Sequence, residues 1–421
     1  MSTTAINPIK DIVLDLFRNM RVLFMHPNFP GQFQHLAPAL QAQGADVRAI
    51  SFSSAAKTSP IETVHVSYLR GHPQGLDPWV QPLDSKIIRG RSAAAVLNAW
   101  CDEEWIPDLI IGHTGWGDML NLRDIFPSSR ILGWFEFYYH ARGLDLDFDP
   151  EFPPEEALRT KVRLKNLWPL WMLEEVDLGV CPTRFQRDTH PHRYHDKLRV
   201  VHEGIDTQRF VPNADITVTL GEGLTLTRQD EVVTFFNRDL EPYRGYHVFM
   251  RALPALLRKH PNAHVLIVGG DGVSYGAPPA AGNWKQYFLD EVREALDPRR
   301  VHFLGRVPHQ TLIGLMQLSR AHVYLTYPFV LSWSLLEAMS CGAPVIGSDT
   351  APVREVITHD DNGLLVDFFV HEGLVEQVSF ALKNPEKMQQ VGQRARQHIV
   401  EHYDLKTVCF PQQLALIKEL L

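Results

Sequence analysis

The stretch RVLFMHPNFPGQFQHLAPALQAQGADVRAISF, residues 21–52, decides the fold of this chain. It opens with a β-type run just after Met20, passes through a loop rich in Pro and Gly, continues as an amphipathic helix pattern that ends at Gly44, and closes in a second β-type run. This order predicts a βαβ unit. Because such a unit joins two parallel strands through a helix, the stretch indicates a parallel sheet covered by helices.

The same alternation continues along the chain. Further β-type runs are DLIIGH (108–113), RILGWFEF (130–137) and LGVCPT (178–183). After a polar, irregular stretch near residues 211–223 the alternation restarts, with β-type runs at EVVTFFNRDL, NAHVLIVGGDG, RVHFLGRV, AHVYLTYPF and GAPVIGSD and a helix pattern at HVFMRALPALLRKHP. The sequence therefore predicts an α/β protein with two doubly wound parallel-sheet domains.

The domain limits follow from these patterns. We expect the first α/β domain over residues 20–205 and the second over 206–400, each of a usual domain size. Residues 1–19 are predicted to be an N-terminal extension with a short amphipathic helix. Residues 401–421 have apolar side chains at helical spacing, which predicts a C-terminal helix that packs back onto the first domain.

The composition narrows the function. The chain has 421 residues, of which 45% are hydrophobic and 21% charged, as in an ordinary globular protein. A net charge of −8 argues against a nucleic-acid partner, because phosphate backbones are bound by basic surfaces. Four cysteines without CxxC spacing suggest neither a zinc site nor a disulfide framework, and we expect a cytoplasmic protein without a spanning helix.

Five motifs in the second half occur in a characteristic order. They are NRDLEPYRG (237–245), LIVGGDG (266–272), VHFLGRV (301–307), LLEAMSCGAPVI (335–346), and the pair VREVI and NGLLV between residues 353 and 366. This half resembles the nucleotide-sugar-binding domain of the GT-B glycosyltransferases of family 4. The resemblance implies two Rossmann-like domains that face a central cleft.

The resemblance also implies a reaction. A hexose would pass from a nucleoside diphosphate, UDP more readily than GDP, to a glycan, lipid-linked or small-molecule acceptor, with retention and without a metal or other cofactor. Two alternatives stay open: a GT-B nucleotide-sugar epimerase, which needs no acceptor, and a noncatalytic nucleotide-sugar-binding partner subunit.

Arg238 and Arg244 follow the first strand pattern of the second half. A guanidinium group binds phosphate through two donors at once, so both side chains are candidates to hold and stabilise a leaving diphosphate. The alternative is that both are solvated loop residues. The family usually has Lys in place of Arg244, one residue nearer to the first Arg.

Glu337 has two interpretations. With Ser334 three residues before it, the carboxylate fits a capping box that satisfies the first backbone donors of a helix. The resemblance implies instead that it accepts hydrogen bonds from the ribose hydroxyls. By the same resemblance, Gly269 and Arg306 in the matched motifs are donor-binding residues.

The family often carries another glutamate eight positions before this one, which contacts the donor sugar. Phe329 stands at that position and cannot accept a hydroxyl hydrogen bond as a carboxylate does. The backbone N–H groups of Leu331, Ser332 and Trp333 are the expected substitutes.

Three loops of the first half are candidates to contact sugars. Gly31, followed by Gln32, matches the family's first glycine-rich loop and allows the backbone to approach a ligand closely. His113 ends a strand pattern and matches a histidine that faces the reacting sugar in the family. Glu136 ends the next strand pattern, where it can orient or deprotonate an acceptor hydroxyl, or pair with Arg142.

Two further stretches have a structural explanation. DLDFDPEFPPEE (145–156) has the spacing of calcium ligands, but Pro150 stands where the loop needs Gly, so an acidic surface loop is favoured over a metal site. RTKVRLKNLWPLWMLEEVD (159–177) mixes basic and aromatic residues, which suits either peripheral membrane contact or, as favoured, core packing of Trp168 and Trp171.

Overall fold

The computed structural model describes residues 16–53 and 59–421 and divides the chain into two compact units. The first unit contains the described residues up to 141 together with 154–203 and 412–421, and the second contains 142–153 and 204–411. The predicted helix within residues 1–19 lies almost wholly outside the described residues. The chain passes finally from the first unit to the second at Gly204, two residues before the predicted boundary.

Parallel strands form the sheet of the first unit. They are β1 (Arg21–Met25), β2 (Asp46–Ser51), β3 (Glu62–His65), β4 (Leu109–His113), β5 (Arg130–Trp134), β6 (Leu178–Cys181) and β7 (Leu198–Val200). Their order is β3-β2-β1-β4-β5-β6-β7, and every neighbouring pair is parallel. All five residues of β4 are buried, as expected for a sheet with both faces covered.

Helices cover this sheet. They are α1 (Leu36–Ala42), α2 (Gln81–Asp102), α3 (Leu122–Ile125), α4 (Glu156–Lys165), α5 (Leu167–Glu175) and α6 (Arg184–Thr189), with 3-10 turns at Gly31–Phe33 and His192–Lys197. Of the two tryptophans predicted to be core, Trp168 is buried, whereas Trp171 is 51% exposed. The core interpretation is therefore wrong for Trp171.

A second parallel sheet and a small hairpin lie in the second unit. The strands are β8 (Thr217–Thr219), β9 (Thr225–Thr227), β10 (Val232–Asp239), β11 (His264–Gly270), β12 (Val301–Gly305), β13 (Ala321–Tyr324), β14 (Val345–Ser348) and β15 (Leu364–Val366). The sheet order is β12-β11-β10-β13-β14-β15, all parallel. The antiparallel pair β8 and β9 lies in the stretch that the sequence marked as irregular.

The helices of the second unit follow its strands. They are α7 (Tyr246–Lys259), α8 (Trp284–Val292), α9 (His309–Leu318), α10 (Trp333–Ser340), α11 (Ala351–Arg354), α12 (His371–Lys383) and α13 (Pro385–Tyr403), with 3-10 turns at Gly221–Gly223, Pro242–Arg244 and Arg293–Ala295. Apolar clusters pack the two faces of the sheet.

The chain ends in the predicted C-terminal helix. A π-helical turn at Leu405–Cys409 leads into α14 (Phe410–Leu420), whose residues from Gln412 onward belong to the first unit. There the side-chain amide of Gln413 donates to the carbonyl of His202 (3.0 Å), and Glu419 pairs with Arg199.

The strand order reverses once in each sheet. In the first unit the chain builds outward from β1 through β2 and β3 and then returns to place β4 on the other side of β1. In the second unit the same reversal occurs between β10 and β13. Ligands of open parallel sheets bind at the carboxyl ends of the strands beside such a reversal. In each unit, the carboxyl ends of the strands beside the reversal are therefore the expected position of a ligand-binding site.

The acidic stretch 145–156 is a surface loop only in part: Glu151, Glu155 and Glu156 are exposed, as predicted, whereas Asp145 and Asp149 are buried. Asp145 and Asp149 are 2% and 3% exposed. Both are held by partners within the second unit: the hydroxyl of Tyr243 donates to Asp145 (3.0 Å), and that of Tyr327 donates to Asp149 (2.7 Å). These bonds explain why residues 142–153 belong to the second unit although strands of the first unit flank them.

Candidate functional site

Arg244 joins the two loops at the strand reversal of the second unit. Its side chain is 5% exposed, and Nη1 donates to the hydroxyl of Thr326 (2.8 Å) and to the carbonyl of Val330 (3.0 Å), both beyond β13. Among the described residues it makes no ion pair within 4 Å. A buried guanidinium whose near partners are neutral is suited to binding an anion.

Aromatic rings enclose the same guanidinium. Its Cζ atom lies 4.9 Å from the ring centre of Tyr275 and 5.9 Å from that of Phe329, at cation–π distance. The next residue, Gly245, has a φ of +67°, and a Cβ there would lie 2.3 Å from the Cβ of Leu325. Glycine at this position therefore allows the Arg244 loop to approach the chain after β13 closely.

Arg238 lies near the end of β10 and is exposed. It makes no hydrogen bond or ion pair with any residue that the structure describes. Its guanidinium group is therefore available to a ligand. A register irregularity in β10 between Phe236 and Asp239 precedes the turn that carries Arg244.

Two buried carboxylates that the sequence analysis missed fix the neighbouring loop. Asp239 accepts hydrogen bonds from the hydroxyl of Ser274 (2.6 Å) and from the side chain of Arg306 (2.8 Å). Glu241, fully buried, accepts from the backbone N–H groups of Ser274 (3.1 Å) and Tyr275 (3.0 Å). The predicted donor residue Arg306 is thus paired with a carboxylate of its own unit.

These two carboxylates titrate differently. Burial raises the pKa of Glu241 to about 7, against the opposing effects of its hydrogen bonds and of Arg244. Burial would also raise the pKa of Asp239, but the hydrogen bonds from Ser274 and Arg306 lower it below its ordinary value. A change of charge near neutral pH is therefore built in next to Arg244.

Glu337 does not form the capping box, so that interpretation is wrong. The helix α10 begins one residue before Ser334, and its N-cap is Ser332, whose hydroxyl accepts from the backbone N–H of Ser334 (3.2 Å). Glu337 lies further into the helix and is 8% exposed, and its Oε1 is 3.7 Å from Nε2 of the His309 ring. Among the described residues its carboxylate accepts no hydrogen bond, which leaves it available to hydroxyl groups of a ligand.

The backbone groups predicted to grip the sugar are partly engaged. The N–H of Ser332 donates to the hydroxyl of Tyr324 (2.8 Å), whereas no such bond involves the N–H of Leu331 or Trp333 among the described residues. Phe329 is 4% exposed and packs against Tyr275, 5.0 Å between ring centres. Gly269 lies within β11, where a Cβ would come within 2.7 Å of Leu240.

In the first unit two histidines meet at the strand reversal. His26 follows β1 directly and His113 ends β4, and their ring centres lie 5.7 Å apart. The backbone N–H of Gly115 donates to His113 Nδ1 (3.0 Å), so the proton of a neutral ring lies on Nε2. That atom is 3.4 Å from Oε1 of Glu136, which brings these two predicted residues together.

A second acidic group belongs to this cluster and was not predicted. Asp118 is 1% exposed, and neither of its carboxylate oxygens has a hydrogen-bond partner among the described residues. Burial raises the pKa of Asp118 to about 6. Burial would lower the pKa of His113, but the charges of Glu136 and Asp118 raise it above its ordinary value.

The predicted loop before α1 also reaches this edge. Gly31 has a φ of +50°, and a Cβ there would lie 2.6 Å from the ring of His26. The side-chain amide nitrogen of Gln32 is buried and has no hydrogen-bond partner within the described part of the chain. A donor in this state is available to a polar ligand.

One group of side chains has the spacing of a metal site. Ligand atoms of Asp149, Glu151 and His247 lie within 4.8 Å of one another. Protein partners occupy them: His247 Nε2 lies 3.0 Å from Asp149, and both Glu151 oxygens accept from Arg251 (2.6 and 2.7 Å). These contacts hold residues 142–153 within the second unit, and the three side chains have protein partners without a metal ion.

The fold and the two edges define a class of protein. Two Rossmann-like parallel-sheet domains, one with cationic side chains and a buried carboxylate at its strand reversal, form the GT-B architecture. Residues 43–210 match the glycosyl transferase family 4 group, and residues 225–398 match glycosyl transferases group 1. The chain belongs to the GT-B glycosyltransferases of family 4, as the sequence analysis predicted.

Individual relatives match part of the chain. A D-inositol 3-phosphate glycosyltransferase from Corynebacterium jeikeium is 29% identical over 171 residues, 40% of each protein. A glycogen synthase from Mycobacterium tuberculosis is 26% identical over 169 residues, 40% of this chain and 38% of its own. The matches thus span about two fifths of the length of these curated relatives.

Solved structures match the fold over nearly the whole chain. A sucrose-phosphate synthase from Thermosynechococcus elongatus has a TM-score of 0.72 at 18% identity and covers 96% of this chain and 99% of its own. HepE from Anabaena, solved with UDP and glucose, has a TM-score of 0.64 at 18% identity and covers 96% and 100%. No helix among the described residues combines the length and the apolar character needed to cross a bilayer.

Proposed function

We propose that this protein transfers a hexose from UDP to a hydroxyl group of a carbohydrate, lipid-linked or small-molecule acceptor. The observation that carries the proposal is Arg244, a buried cation held by neutral groups at the strand reversal of the second unit. Exposed Arg238, near the end of the strand that leads into the Arg244 turn, supplies a second guanidinium group. Together they are suited to a diphosphate, which carries more than one negative charge.

The nucleotide would be held by the carboxylate of Glu337. A carboxylate without a hydrogen-bonded partner suits two adjacent hydroxyl groups, as in ribose, and a charged hydrogen bond contributes about 1.5 to 3 kcal/mol. The choice of UDP over GDP is supported by HepE, whose solved structure contains UDP and glucose. Gly269, Arg306 and the N–H groups of Leu331 and Trp333 are the proposed further donor contacts.

The proposed reaction retains the anomeric configuration and needs no metal ion. As the bond from the sugar C1 to the diphosphate oxygen breaks, the charge that develops on that oxygen is stabilised by Arg238 and Arg244. The acceptor hydroxyl attacks C1 from the same face and gives its proton to the departing diphosphate. His113 and Glu136 of the first unit would bind sugar hydroxyls, with the Gly31 and Gln32 loop beside them.

A ligand panel tests the donor assignment. UDP, GDP and ADP and their glucose or mannose esters are added to the full chain, and we expect UDP compounds to raise the melting temperature most, because a bound ligand stabilises the folded state by mass action. The variant Arg258→Gln, which removes an exposed charge from α7, is the control for the loss of a positive charge away from the site. Equal melting temperatures with all nucleotides would contradict the assignment.

Product analysis tests the reaction. With UDP-glucose and an acceptor mixture, NMR should show release of UDP and an α-linked product, unchanged by EDTA. A β-linked product would contradict retention, and loss of activity in EDTA would contradict metal independence. An epimerised UDP-sugar without acceptor would identify an epimerase, and tight UDP binding without any turnover would identify a binding subunit.

A further inference from the structure

A row of aromatic side chains extends the histidine edge of the first unit. Phe52 follows β2 and Tyr68 follows β3, which are adjacent strands, and Trp116 follows β4, which β1 separates from β2. The rings of Phe52 and Tyr68 are stacked at 5.2 Å, and the ring of Trp116 lies 5.8 Å from that of His113. Tyr68 and Trp116 are 52% and 41% exposed, so part of each side chain remains accessible to a ligand.

Arg89 of α2 stands among these rings. Its Cζ atom is 5.7 to 5.9 Å from the ring centres of all three aromatic residues, and Nη1 donates to the carbonyl of Trp116 (2.6 Å). Its Nε is buried without a hydrogen-bond partner among the described residues. Nη2 also donates to the hydroxyl of Tyr68 (3.4 Å). The guanidinium is thus positioned by rings, a carbonyl and a hydroxyl, and Nη1 and Nη2 each retain a second N–H for a further acceptor.

Close packing fixes this position. A Cβ on Gly90 would lie 2.7 Å from the carbonyl oxygen of Gly117, and Gly117 has a φ of +93°. Helix α2 therefore lies directly against the loop that carries Trp116. A ligand subsite built on such contacts is largely formed before the ligand arrives, which lowers the cost of binding.

The positive charge here is only partly balanced. Neither Lys86 nor Arg89, one helical turn apart on α2, makes an ion pair within 4 Å among the described residues. Burial, together with the positive charges of Lys165 and Arg89, lowers the pKa of Lys86 to about 8. The carboxylate of Asp118 is the acidic group that acts on Arg89, and it lies buried on the side of His113.

We propose that Trp116, Tyr68 and Arg89 form an acceptor subsite for a sugar that carries a carboxylate or phosphate group. The sugar ring would stack on the exposed indole and phenol faces, and the guanidinium of Arg89 would bind the anionic group. His113, next to Trp116, would then lie beside the hydroxyl groups of the bound acceptor. This inference rests on the proposed function, since it names the class of molecule that receives the transferred sugar.

Calorimetry with three related sugars tests the subsite on the full chain. The probes are glucose, glucuronic acid and glucose 6-phosphate, which share a ring and differ in charge. We expect at least one anionic sugar to bind about tenfold or more tightly than glucose, because a charged hydrogen bond contributes that much. Tighter binding of glucuronic acid would indicate that the subsite prefers a carboxylate, and tighter binding of glucose 6-phosphate would indicate a phosphate.

Variants assign the effect to residues. Arg89→Gln should reduce the affinity for the anionic sugar to that for glucose, whereas Arg91→Gln, exposed on the same helix, should leave it unchanged. Trp116→Ala should weaken all three sugars by a similar factor, about fivefold for a lost stacking contact. Arg89→Lys, which keeps the charge, serves if Arg89→Gln lowers the melting temperature, and it should retain part of the preference.

The inference is overturned if glucose binds as tightly as both anionic sugars, if none of the three binds, or if Arg89→Gln and Arg91→Gln have equal effects. UDP binding measured on the same samples separates this outcome from failure of the proposed function. Loss of the anion preference with UDP binding intact would reject the acceptor subsite alone.

Discussion

In the first unit the loops after β1 and β4 meet through two histidine rings, whereas in the second unit the loops after β10 and β13 meet through the guanidinium of Arg244. The two sheets have the same kind of strand reversal, yet they present different chemistry there. An imidazole beside a carboxylate exchanges hydrogen bonds with hydroxyl groups, and a buried guanidinium binds anions. This difference agrees with the two tasks proposed above, binding of sugar hydroxyls by the first unit and of the diphosphate by the second.

The largest expected effect comes from removing the cation of the second unit. Arg244→Met should weaken UDP binding by about a thousandfold, because two charge-assisted hydrogen bonds to the diphosphate are lost. Calorimetric titration with UDP measures this, with Arg258→Gln as the charge-matched control.

Stability must be followed alongside, since Arg244 also satisfies Thr326 and Val330. Arg244→Lys keeps the charge without the planar fork, so its UDP affinity should lie between those of the wild type and Arg244→Met. If folded Arg244→Met bound UDP as tightly as Arg258→Gln does, Arg244 would not bind the diphosphate, and the proposed difference in function between the two strand reversals would be rejected.

A smaller effect of a different kind is expected in the first unit. His113→Gln and Glu136→Gln should each lower kcat about fiftyfold and leave the Kd of UDP unchanged, because both residues lie in the hydroxyl-binding unit. Their ion pair predicts that the double variant is little worse than either single one. Additive losses would show that the two residues act separately, and a weakened Kd for UDP would erase the division of tasks.

The two units also differ in how well their site residues could be predicted from the sequence. The second unit carries contiguous motifs, so Arg238, Arg244 and Glu337 could be predicted as site residues from short stretches of sequence. The subsite proposed for the first unit combines single residues that follow separate strands with one residue of the helix α2. Tyr68, Arg89 and Trp116 have no shared spacing, and only the strand order brings them together.

The fold was predictable where strands are buried on both faces. The apolar runs of β1, β4 and β10 stand out from their surroundings, and all three were identified correctly. The hairpin of β8 and β9 was missed because its Thr-rich strands are short and half exposed. The burial of Asp149 could not be read either, because its partners His247 and Tyr327 come from a part of the chain about a hundred residues or more away.

Glu337 gives a sharper test within the second unit. Glu337→Gln should weaken UDP about tenfold, since the charged acceptor for ribose becomes a neutral one, while inorganic pyrophosphate should bind as before. The melting temperature should change little, because Ser332 caps the helix. Equal losses for UDP and pyrophosphate would assign Glu337 to the phosphate region and contradict its ribose role.

The smallest expected effect is a change in the pH dependence of stability. Glu241 has a pKa raised by burial from an ordinary value of 4.5 to about 7. Between pH 4.5 and 7 the Glu241 carboxyl is ionised in the unfolded chain but still protonated in the folded chain. The stability that this group contributes is therefore complete below about pH 4.5 and is lost as the pH rises towards 7. Glu241→Gln removes this titration.

Urea unfolding of the wild type and of Glu241→Gln between pH 4 and 8 measures the effect. The amide still accepts from one of the two N–H groups of Ser274 and Tyr275, so the variant starts from a lower stability. The difference between the two proteins should narrow as the pH rises and stay constant above about 7. A difference independent of pH would mean that Glu241 is ionised throughout, in which case Arg244 has a permanent negative neighbour and a smaller share of its charge acts on the diphosphate.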